Sequence, residues 1–317
     1  MHLAGEHLKR QIREEALRLG FADLGFSRAT QLEGDSERLQ AWLDAGLHAG
    51  MGYMAKHFEK RTHPARLVEG ALTVVSLLYN YKPAEPVLSE RFPKISRYAY
   101  GQDYHDVLRA KLNALFDFIK RDLYPQLEGR VFVDSAPLLE RSLAARAGLG
   151  WIGKNSLLIH RKLGSYVFLS ELVLNLDLPT EDAPAYTDRC GGCTLCIDAC
   201  PTTAILPGRT VDAGRCLSYL TIENKAADIP EEFAGKTEGW TFGCDICQEV
   251  CPWNRRPGAH DEPAFVPSAE LLAMDVDRWR SMEQADFSRL FKGSAVKRAK
   301  FSGWQRNFAF AERRQAD

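Results

Sequence analysis

Two cysteine-rich stretches, CGGCTLCIDACP at residues 190–201 and CDICQEVCP at residues 244–252, decide the fold of this chain. All eight cysteines of the 317 residues fall between Cys190 and Cys251. The first stretch has the spacing C-x2-C-x2-C-x3-C-P, which is typical of loops that bind four-iron clusters. Three thiolates at such intervals can reach three corners of one cluster, whereas the cysteine before the proline points to a second cluster. The spacing therefore predicts two adjacent clusters.

The second stretch lacks the leading cysteine of a full repeat, and Cys216 is the one cysteine that remains to replace it. We therefore predict two ligand sets that use every thiol once. One set is Cys190, Cys193, Cys196 and Cys251, and the other is Cys200, Cys216, Cys244 and Cys247. Zinc, disulfides and buried thiols are the alternatives. Zinc usually takes two separated pairs of ligands, and structural disulfides are rare in a reducing cytoplasm, so the cluster interpretation is preferred.

Length and composition predict a soluble, cytoplasmic protein. The chain corresponds to roughly two domains, and its 45% hydrophobic and 26% charged residues are ordinary for globular proteins. The longest apolar run, LTVVSLLY from Leu72, is too short to cross a bilayer, and the N-terminus lacks the apolar core of a secretory signal. The net charge is −1, but residues 289–317 carry eight Lys and Arg against two acidic residues. The C-terminal end is therefore expected to be locally basic.

Helix and strand patterns are interleaved in the first 180 residues, which predicts an α+β fold or an α/β fold. An opening helix ends at Gly20 and a longer helix covers residues 105–123, each with apolar residues at intervals of three and four. Runs of β-branched and aromatic residues predict strands at residues 72–80, 130–135 and 165–176. The turn-rich segment TEDAPAYTDR, residues 180–189, is the expected boundary to the cysteine-rich domain.

Three polar groups in this part of the chain are candidates for chemistry. Asp134 follows the apolar run VFV, where partial burial would raise the pKa of its carboxyl and suit a proton donor. The alternative is that Asp134 caps a helix that begins near Pro137, and local sequence alone favours this alternative. GLGWIGKNSLLIH from Gly148 fits a cofactor loop or a simple turn. SRYAYGQDYH from Ser96 interleaves cationic and aromatic side chains, as around a nucleotide or a corrin, or else it fills an aromatic core.

Seven segments together resemble the epoxyqueuosine reductase family. They are MGYM at Met51, SRYAYGQDYH at Ser96, VDSAPLLER at Val133, GLGWIGKNS at Gly148, CGGCTLCIDACPTTAI at Cys190, RCLSYLTIENK at Arg215 and CDICQEVCPWN at Cys244. SAVKRAKFSGWQRN from Ser294 also resembles the start of that family's C-terminal helical-repeat region. Because the sequence stops soon afterwards, a short form or a truncated chain is expected.

The resemblance implies a nitroreductase-like cobalamin-binding domain over residues 1–180, a ferredoxin-like domain with two 4Fe-4S clusters over residues 181–256, and a C-terminal helical segment over residues 257–317. It also implies reduction of epoxyqueuosine to queuosine at the wobble position of tRNA, with loss of water. Electrons would pass through the clusters to cobalamin, and Asp134 would protonate the epoxide oxygen. The cofactor-contacting residues that matching segments imply are His57, Arg97, Asp134, Lys154, Asn155, Ser156, Ser218 and Lys225.

The expected partners are tRNA carrying epoxyqueuosine and an external low-potential electron donor, and the protein is expected to be a monomer without membrane association. Lys225 would touch the cofactor or a tRNA phosphate. Basic side chains near the C-terminus would offer a phosphate-contacting face, with an ordinary solvated helix as the alternative. These side chains are Lys292, Lys297, Arg298, Lys300 and Arg306.

Three other functions stay open at this point. A corrinoid reductive dehalogenase resembles the arrangement of cobalamin and two clusters, but it usually carries a twin-arginine export signal, which is absent here. A ferredoxin-like carrier would have no substrate of its own, and the roughly 180 residues that precede the cysteines argue against it. A tRNA-binding protein whose clusters are only structural is the third.

Overall fold

The structure is a computed structural model that describes residues 2–85, 87–180 and 188–313. The strands are β1 Asp23–Arg28, β2 Thr73–Asn80, β3 Lys94–Ile95, β4 Gly129–Phe132, β5 Trp151–Ile152, β6 Leu158–Ile159, β7 Val167–Leu174, β8 Ile205–Leu206, β9 Thr210–Val211 and β10 Trp240–Phe242. The α-helices are α1 His2–Arg18, α2 Glu33–Asp44, α3 Phe58–Thr62, α4 Pro64–Leu67, α5 Tyr104–Phe118, α6 Glu140–Arg146, α7 Leu195–Asp198, α8 Ile246–Glu249, α9 Ala269–Leu272, α10 Val276–Arg280, α11 Gln284–Leu290 and α12 Lys300–Glu312. This mixture of helices and strands confirms the predicted α+β fold.

A four-stranded antiparallel sheet in the order β1-β2-β7-β4 forms the centre of the N-terminal part. Helices α1 and α5 pack on one face, and α6 packs on the other. The central strand β2 is buried along almost its whole length because helices cover both of its faces. The three strands expected from residues 72, 130 and 165 are confirmed, as are both long helices, although α5 ends in a π-helical turn over Ile119–Leu123.

Strand β1, with the sequence DLGFSR, was not predicted, because Asp, Gly and Ser are poor strand formers. Its place in the sheet is set by packing. A side chain on Gly25 would meet the Ala147 carbonyl oxygen at 2.2 Å, so only glycine lets the end of α6 approach the strand this closely. This requirement depends on a residue more than a hundred positions away and leaves no local periodic signal.

The later parts of the chain are interleaved with the first. Strand β10 of the cysteine-rich part pairs in parallel with β3 of the N-terminal part. Helices α9–α12 enclose an aromatic cluster around Trp304 and Trp279, and this cluster also contains Ile95 and Tyr100. The predicted boundary segment falls largely on residues 181–187, which lie outside the described residues. Within the part of the chain that is described, no helix is both long and apolar enough to cross a membrane.

Candidate active site

A cavity of about 2530 Å³ is lined by residues from the N-terminal part, the cysteine-rich part and the start of the C-terminal helices. Pockets for ordinary small ligands measure about 300–1,000 Å³, so this one is large enough for a macrocycle. Asp134, Tyr104 and His105 line one region of its wall, and Cys200, Cys216, Cys244 and Cys247 line another. The cavity therefore joins a candidate acid to four cysteines.

Asp134 is held by the two residues that begin α5. The Tyr104 hydroxyl donates to Oδ2 of Asp134 at 2.6 Å, and Nε2 of His105 lies 3.7 Å from the same oxygen. The other ring nitrogen of His105 lies 2.6 Å from Oδ1 of Asp103, whose carboxylate also caps α5. Tyr104 is fixed in turn by stacking on Phe168, with ring centroids 4.2 Å apart. These contacts place an imidazole between two carboxylates at the cavity wall.

The alternative interpretation, in which Asp134 caps a helix that begins near Pro137, is wrong. Helix α6 begins at Glu140 and its N-cap position is Leu139, without a side-chain cap. Asp134 has φ of +46°, a left-handed conformation that is uncommon for a residue other than glycine. Such strain is characteristic of functional sites when the surroundings hold it in place.

The expectation that the pKa of Asp134 is raised is also wrong. Burial raises the pKa of this carboxyl, but hydrogen bonds from His105 and Tyr104 lower it by more, so that it lies below its usual value. Burial lowers the pKa of His105, whereas hydrogen bonds to Asp103 and Asp134 raise it to about 9. At neutral pH the proton shared by Asp103, His105 and Asp134 therefore lies on the His105 imidazole, and Asp134 is a carboxylate.

Two further carboxyls lie beneath Asp134. The backbone N–H of Asp134 donates to Oε1 of Glu140 at 2.7 Å, which helps to hold the left-handed backbone. Glu171, in the middle of β7, is fully buried, and its carboxyl has no well-formed hydrogen bond to the described residues. Burial and then the charge of Asp134 raise the pKa of Glu140 to about 7. Burial and the neighbouring Glu140 raise the pKa of Glu171 well above its usual value, so Glu171 is neutral.

A second cavity, of about 260 Å³, is lined by Cys190, Cys193, Cys196 and Cys251. These cysteines are one of the two sets that sequence spacing predicts, and they meet although Cys251 belongs to the other cysteine stretch. Burial and then the neighbouring thiols Cys190 and Cys251 raise the pKa of Cys196. Four thiolates would repel one another here unless they bound a positively charged group, which is the setting that an iron cluster requires.

The remaining four cysteines are neighbours in the large cavity. Burial and then Cys247 and Cys216 raise the pKa of Cys244, and burial together with Cys200 raises the pKa of Cys216. The charge of Cys196, which belongs to the first set, also raises the pKa of the Cys247 thiol, so the two sets are adjacent. All eight cysteines are free thiols. Among the described residues, no three Cys, His, Asp or Glu side chains converge on a single metal ion, whereas the thiolates of a cluster bind different iron atoms.

Four of the other predicted cofactor residues line the large cavity. His57, Ser156 and Ser218 do so from three separate segments. Asn155 lies in the turn between β5 and β6 and lines both cavities. Its side-chain nitrogen is buried without a hydrogen-bond partner among the described residues, as expected where a ligand's polar group completes the site. The segment from Gly148 is thus a β-hairpin whose turn lies between the two cavities.

The structure does not bring the other three to the wall of the large cavity. The Arg97 guanidinium binds Glu249 at 2.9 Å and stacks over Tyr166. Lys154 donates to the carbonyl oxygens of Gly191 and Cys193, at 2.8 and 2.9 Å, and so supports the cysteine loop. Lys225 is exposed and donates to the Ile222 carbonyl at 3.1 Å.

The basic C-terminal side chains do not form the single face that their number suggests. Arg306 donates to the backbone carbonyls of Leu220, Asn224 and Ala226, so it is committed to internal bonds and the expectation is wrong for this residue. Arg298 lines the large cavity, where it pairs with Glu223 at 2.7 Å and its charge helps to lower the pKa of Asp134. Lys297 also lines the cavity, whereas Lys292 and Lys300 are exposed.

Tyr104 and His105 lie within SRYAYGQDYH, but the sequence did not indicate that they take part in the proton chemistry. It gave no indication of Glu140 and Glu171 either. The only local signal was the run Asp103-Tyr104-His105 at a helix start. A histidine near an aspartate is common in sequences. The role of His105 therefore becomes visible only in the structure, where the distant carboxyl of Asp134 lies beside its ring. Glu171 carried no signal, because a single Glu in a strand pattern gives no indication of burial.

Comparison with known proteins decides the family. Residues 61–135 match the family described as epoxyqueuosine reductase QueG, DUF1730, and residues 189–254 match the 4Fe-4S double cluster binding domain. The epoxyqueuosine reductase of Cyclobacterium marinum is 49% identical over 95% of this chain and 96% of its own length. The chain belongs to the epoxyqueuosine reductase family. Members of this family are oxidoreductases that use cobalamin and two 4Fe-4S clusters, so the carrier, dehalogenase and structural-cluster alternatives are set aside.

Solved structures of epoxyqueuosine reductases share the fold. One, bound to a tRNA-Tyr stem loop modified with epoxyqueuosine, has a TM-score of 0.87 at 30% identity and covers 98% of this chain and 82% of its own. Another, from Bacillus subtilis, has the same TM-score, identity and coverage, and its catalytic aspartate loop is swung out of the active site.

The hydrogen bond from the Asp134 N–H to Glu140 is predicted to hold the loop around Asp134 in place. In Glu140→Ala the loop loses the acceptor for the Asp134 N–H, and we expect faster hydrogen exchange in the peptide that spans residues 133–139, measured by mass spectrometry. Glu140→Gln keeps an oxygen at the same place and serves as the matched control, with exchange close to that of the unaltered protein. Equal exchange in Glu140→Ala and the unaltered protein would show that this bond does not hold the loop.

Proposed function

We propose that this chain reduces epoxyqueuosine to queuosine in tRNA, with electrons that pass through two four-iron clusters to cobalamin and a proton delivered at Asp134. The observation that carries the proposal is the single cavity that joins Cys200, Cys216, Cys244 and Cys247 to Asp134. The relative solved with an epoxyqueuosine-modified tRNA stem loop supports the substrate. Two electrons and two protons convert the epoxide into an alkene and one water molecule, so the site needs both a reductant and an acid.

The two clusters would be held as the sequence spacing predicts. Cys190, Cys193, Cys196 and Cys251 would bind the first, and Cys200, Cys216, Cys244 and Cys247 the second. The first set surrounds a cavity of its own, and the second set faces the large cavity. Helices α7 and α8, which carry Cys196 and Cys247, contact each other, so electrons would pass from the first cluster to the second and then into the large cavity.

Cobalamin would occupy the large cavity, where it supplies the metal centre that delivers electrons to the substrate. His57, Asn155, Ser156 and Ser218 would contact it, and the buried amide nitrogen of Asn155 is available for a hydrogen bond. Arg97 and Lys154 would act indirectly, because their side chains support Glu249 and the cysteine loop. We propose that the domains extend over residues 1–180, 181–256 and 257–317.

Asp134 would protonate the epoxide oxygen with a proton that His105 stores. The imidazolium lies between two carboxylates and keeps its proton up to a pH of about 9. Asp134 accepts the proton from His105 and passes it on when negative charge develops on the epoxide oxygen, and Tyr104 keeps the carboxyl oriented. Tyr104 and His105 are largely buried, which shields the stored proton from bulk water, whereas the Asp134 side chain is 54% exposed where it lines the cavity.

The tRNA and an external low-potential electron donor would be the partners, and the cytoplasm the compartment, because tRNA and reduced thiols are found there. The tRNA must reach the cavity wall at Asp134. Lys297 and Arg298 line this cavity and would meet the negatively charged substrate, whereas Lys292 and Lys300 would contribute only through their exposed charges. The protein is proposed to act as a monomer.

The acid assignment predicts the behaviour of Asp134→Asn. The amide can still accept from Tyr104 but cannot relay a proton, so we expect at least a roughly 100-fold loss of kcat in conversion of epoxyqueuosine-containing tRNA, measured by nucleoside mass analysis. Iron and corrinoid contents should equal those of the unaltered enzyme. Retention of full activity would remove Asp134 from the proton transfer.

The proton store predicts a pH dependence. The His105 proton is present below its pKa of about 9 and is lost above it, so single-turnover rates should fall as the pH rises through about 9. His105→Asn removes the group that keeps its proton up to a pH of about 9, so the falling limb should move to lower pH. His7→Asn, at an exposed position on α1, is the control. An unchanged profile in His105→Asn would contradict the relay.

The ligand assignment predicts iron contents. Cys216→Ala should lose about four of roughly eight iron atoms per chain and keep the electron paramagnetic resonance signal of the first cluster. Cys193→Ala should lose a similar amount of iron but keep the signal of the second cluster. If Cys216→Ala retained both clusters, Cys216 would not be a ligand and the partition would be wrong.

A further inference from the structure

The cluster set formed by Cys190, Cys193, Cys196 and Cys251 lies beneath an exposed loop. Residues 191–195 are all exposed, Cys193 among them. Two hydrogen bonds from Lys154 to the carbonyls of Gly191 and Cys193 fix the loop from one side. The second set faces the large cavity instead. Electrons from outside would therefore enter through this loop, because tunnelling between carriers requires close approach.

The surface around this loop has an apolar centre. Leu195 is 42% exposed, although it is a large apolar side chain next to a predicted cluster ligand. Pro252 is also exposed, and both residues line the same small cavity as the four cysteines. Protein interfaces commonly have such an apolar centre within a polar rim, and complexes between electron-transfer proteins are at the small end of the size range.

Basic residues are frequent on the segments that meet at that centre. Three segments meet at the small cavity, namely residues 154–164, 188–198 and 251–258, and Ile159, Arg189 and Trp253 line it, one from each segment. The segments carry six basic residues, Lys154, Arg161, Lys162, Arg189, Arg255 and Arg256, and all but the half-buried Lys154 are exposed.

Acidic residues are few on the same three segments. They are Asp188, which pairs with Arg209 at 2.6 Å, and Asp198, which accepts a hydrogen bond from Thr194. The three segments together therefore carry a net positive charge, although the chain as a whole has a net charge of −1. A local field of this kind accelerates encounter with an oppositely charged partner.

We propose that this surface, centred on Leu195 and Pro252 and rimmed by Arg161, Lys162, Arg189, Arg255 and Arg256, docks a small acidic electron-carrier protein. The inference rests on the proposed function, since it names the class of donor that supplies the clusters. The carrier loses one electron and the cluster held by Cys190, Cys193, Cys196 and Cys251 gains it, so no further reactant is needed.

RNA is the competing occupant of a basic surface. The tRNA has to reach Asp134 in the large cavity, and Asn155 is the one described residue that lines both cavities. An exposed leucine beside a proline is suited to a protein partner, whereas phosphate groups call for cationic and hydrogen-bonding side chains. The surface is therefore assigned to the carrier, and tRNA binding is one outcome of the test.

The test uses the anaerobic holoenzyme and a reduced plant-type ferredoxin of net negative charge as the probe. Stopped-flow absorbance follows reduction of the clusters. In Arg255→Glu/Arg256→Glu we expect the second-order rate constant with ferredoxin to fall at least about tenfold at low salt, and the salt dependence to weaken. Reduction by a photoreduced deazaflavin, which needs no docking, should be unchanged.

Arg109→Glu/Lys120→Glu is the matched control, because it reverses two exposed charges on α5 and its π-helical end. Its rate with ferredoxin should stay within about twofold of the unaltered enzyme. Leu195→Ser should slow reduction by ferredoxin without a change in salt dependence. Affinity of the oxidised proteins, measured by calorimetry, gives a readout that does not depend on turnover.

The outcomes separate this proposal from the proposed function. Unchanged reduction by ferredoxin in both the Arg255→Glu/Arg256→Glu and Leu195→Ser variants would overturn the docking surface. Weaker binding of the substrate tRNA stem loop together with unchanged reduction by ferredoxin would also overturn it and assign the surface to RNA. Failure of the unaltered enzyme to convert tRNA with deazaflavin as reductant would instead count against the proposed function.

Discussion

Two loops that are distant in the sequence share their cysteines, and this sharing links all parts of the chain. Cys251 meets Cys190, Cys193 and Cys196 at one cavity, although it follows a stretch whose other cysteines, Cys244 and Cys247, face the large cavity. Neither loop can supply four ligands to one cluster from its own residues. Both loops must therefore fold against each other before either site is complete, and the segment between them is drawn into the same unit.

That constraint extends to the rest of the chain. Strand β10, just before Cys244, pairs with β3 of the N-terminal part, and α12 packs beside it through Asn307, which donates to the carbonyls of Thr221 and Thr241 at 2.7 and 2.9 Å. Asn307 is buried, so the loss of these bonds would leave backbone acceptors without partners. The three sequence regions consequently behave as interlocking parts, and the large cavity has walls from all of them.

Charge in the cavity is arranged so that one proton is held on His105, beside Asp134. Asp134, Asp103 and His105 form a group in which the histidine is cationic, and Glu140 and Glu171 are held beneath it with raised pKa values. Burial of carboxyls costs free energy unless they bind a proton or a cation. The carboxyls of Asp134, Glu140 and Glu171 can lie near one another because Glu171 is neutral. In addition, His105 and Arg298 compensate the negative charge of Asp134.

Local sequence was sufficient for the number of clusters and for the α+β fold with its main helices and strands, and it identified Asp134 as a candidate. Cysteine spacing fixes what one loop can reach, and residue periodicity reports which face of an element is buried, so both are local properties. Tertiary structure alone decided that Asp134 is a carboxylate beside His105, that Glu171 is buried beneath it, and that Arg97 and Arg306 are used internally. Ionisation and exposure depend on neighbours brought together from distant segments, and no local pattern records that arrangement.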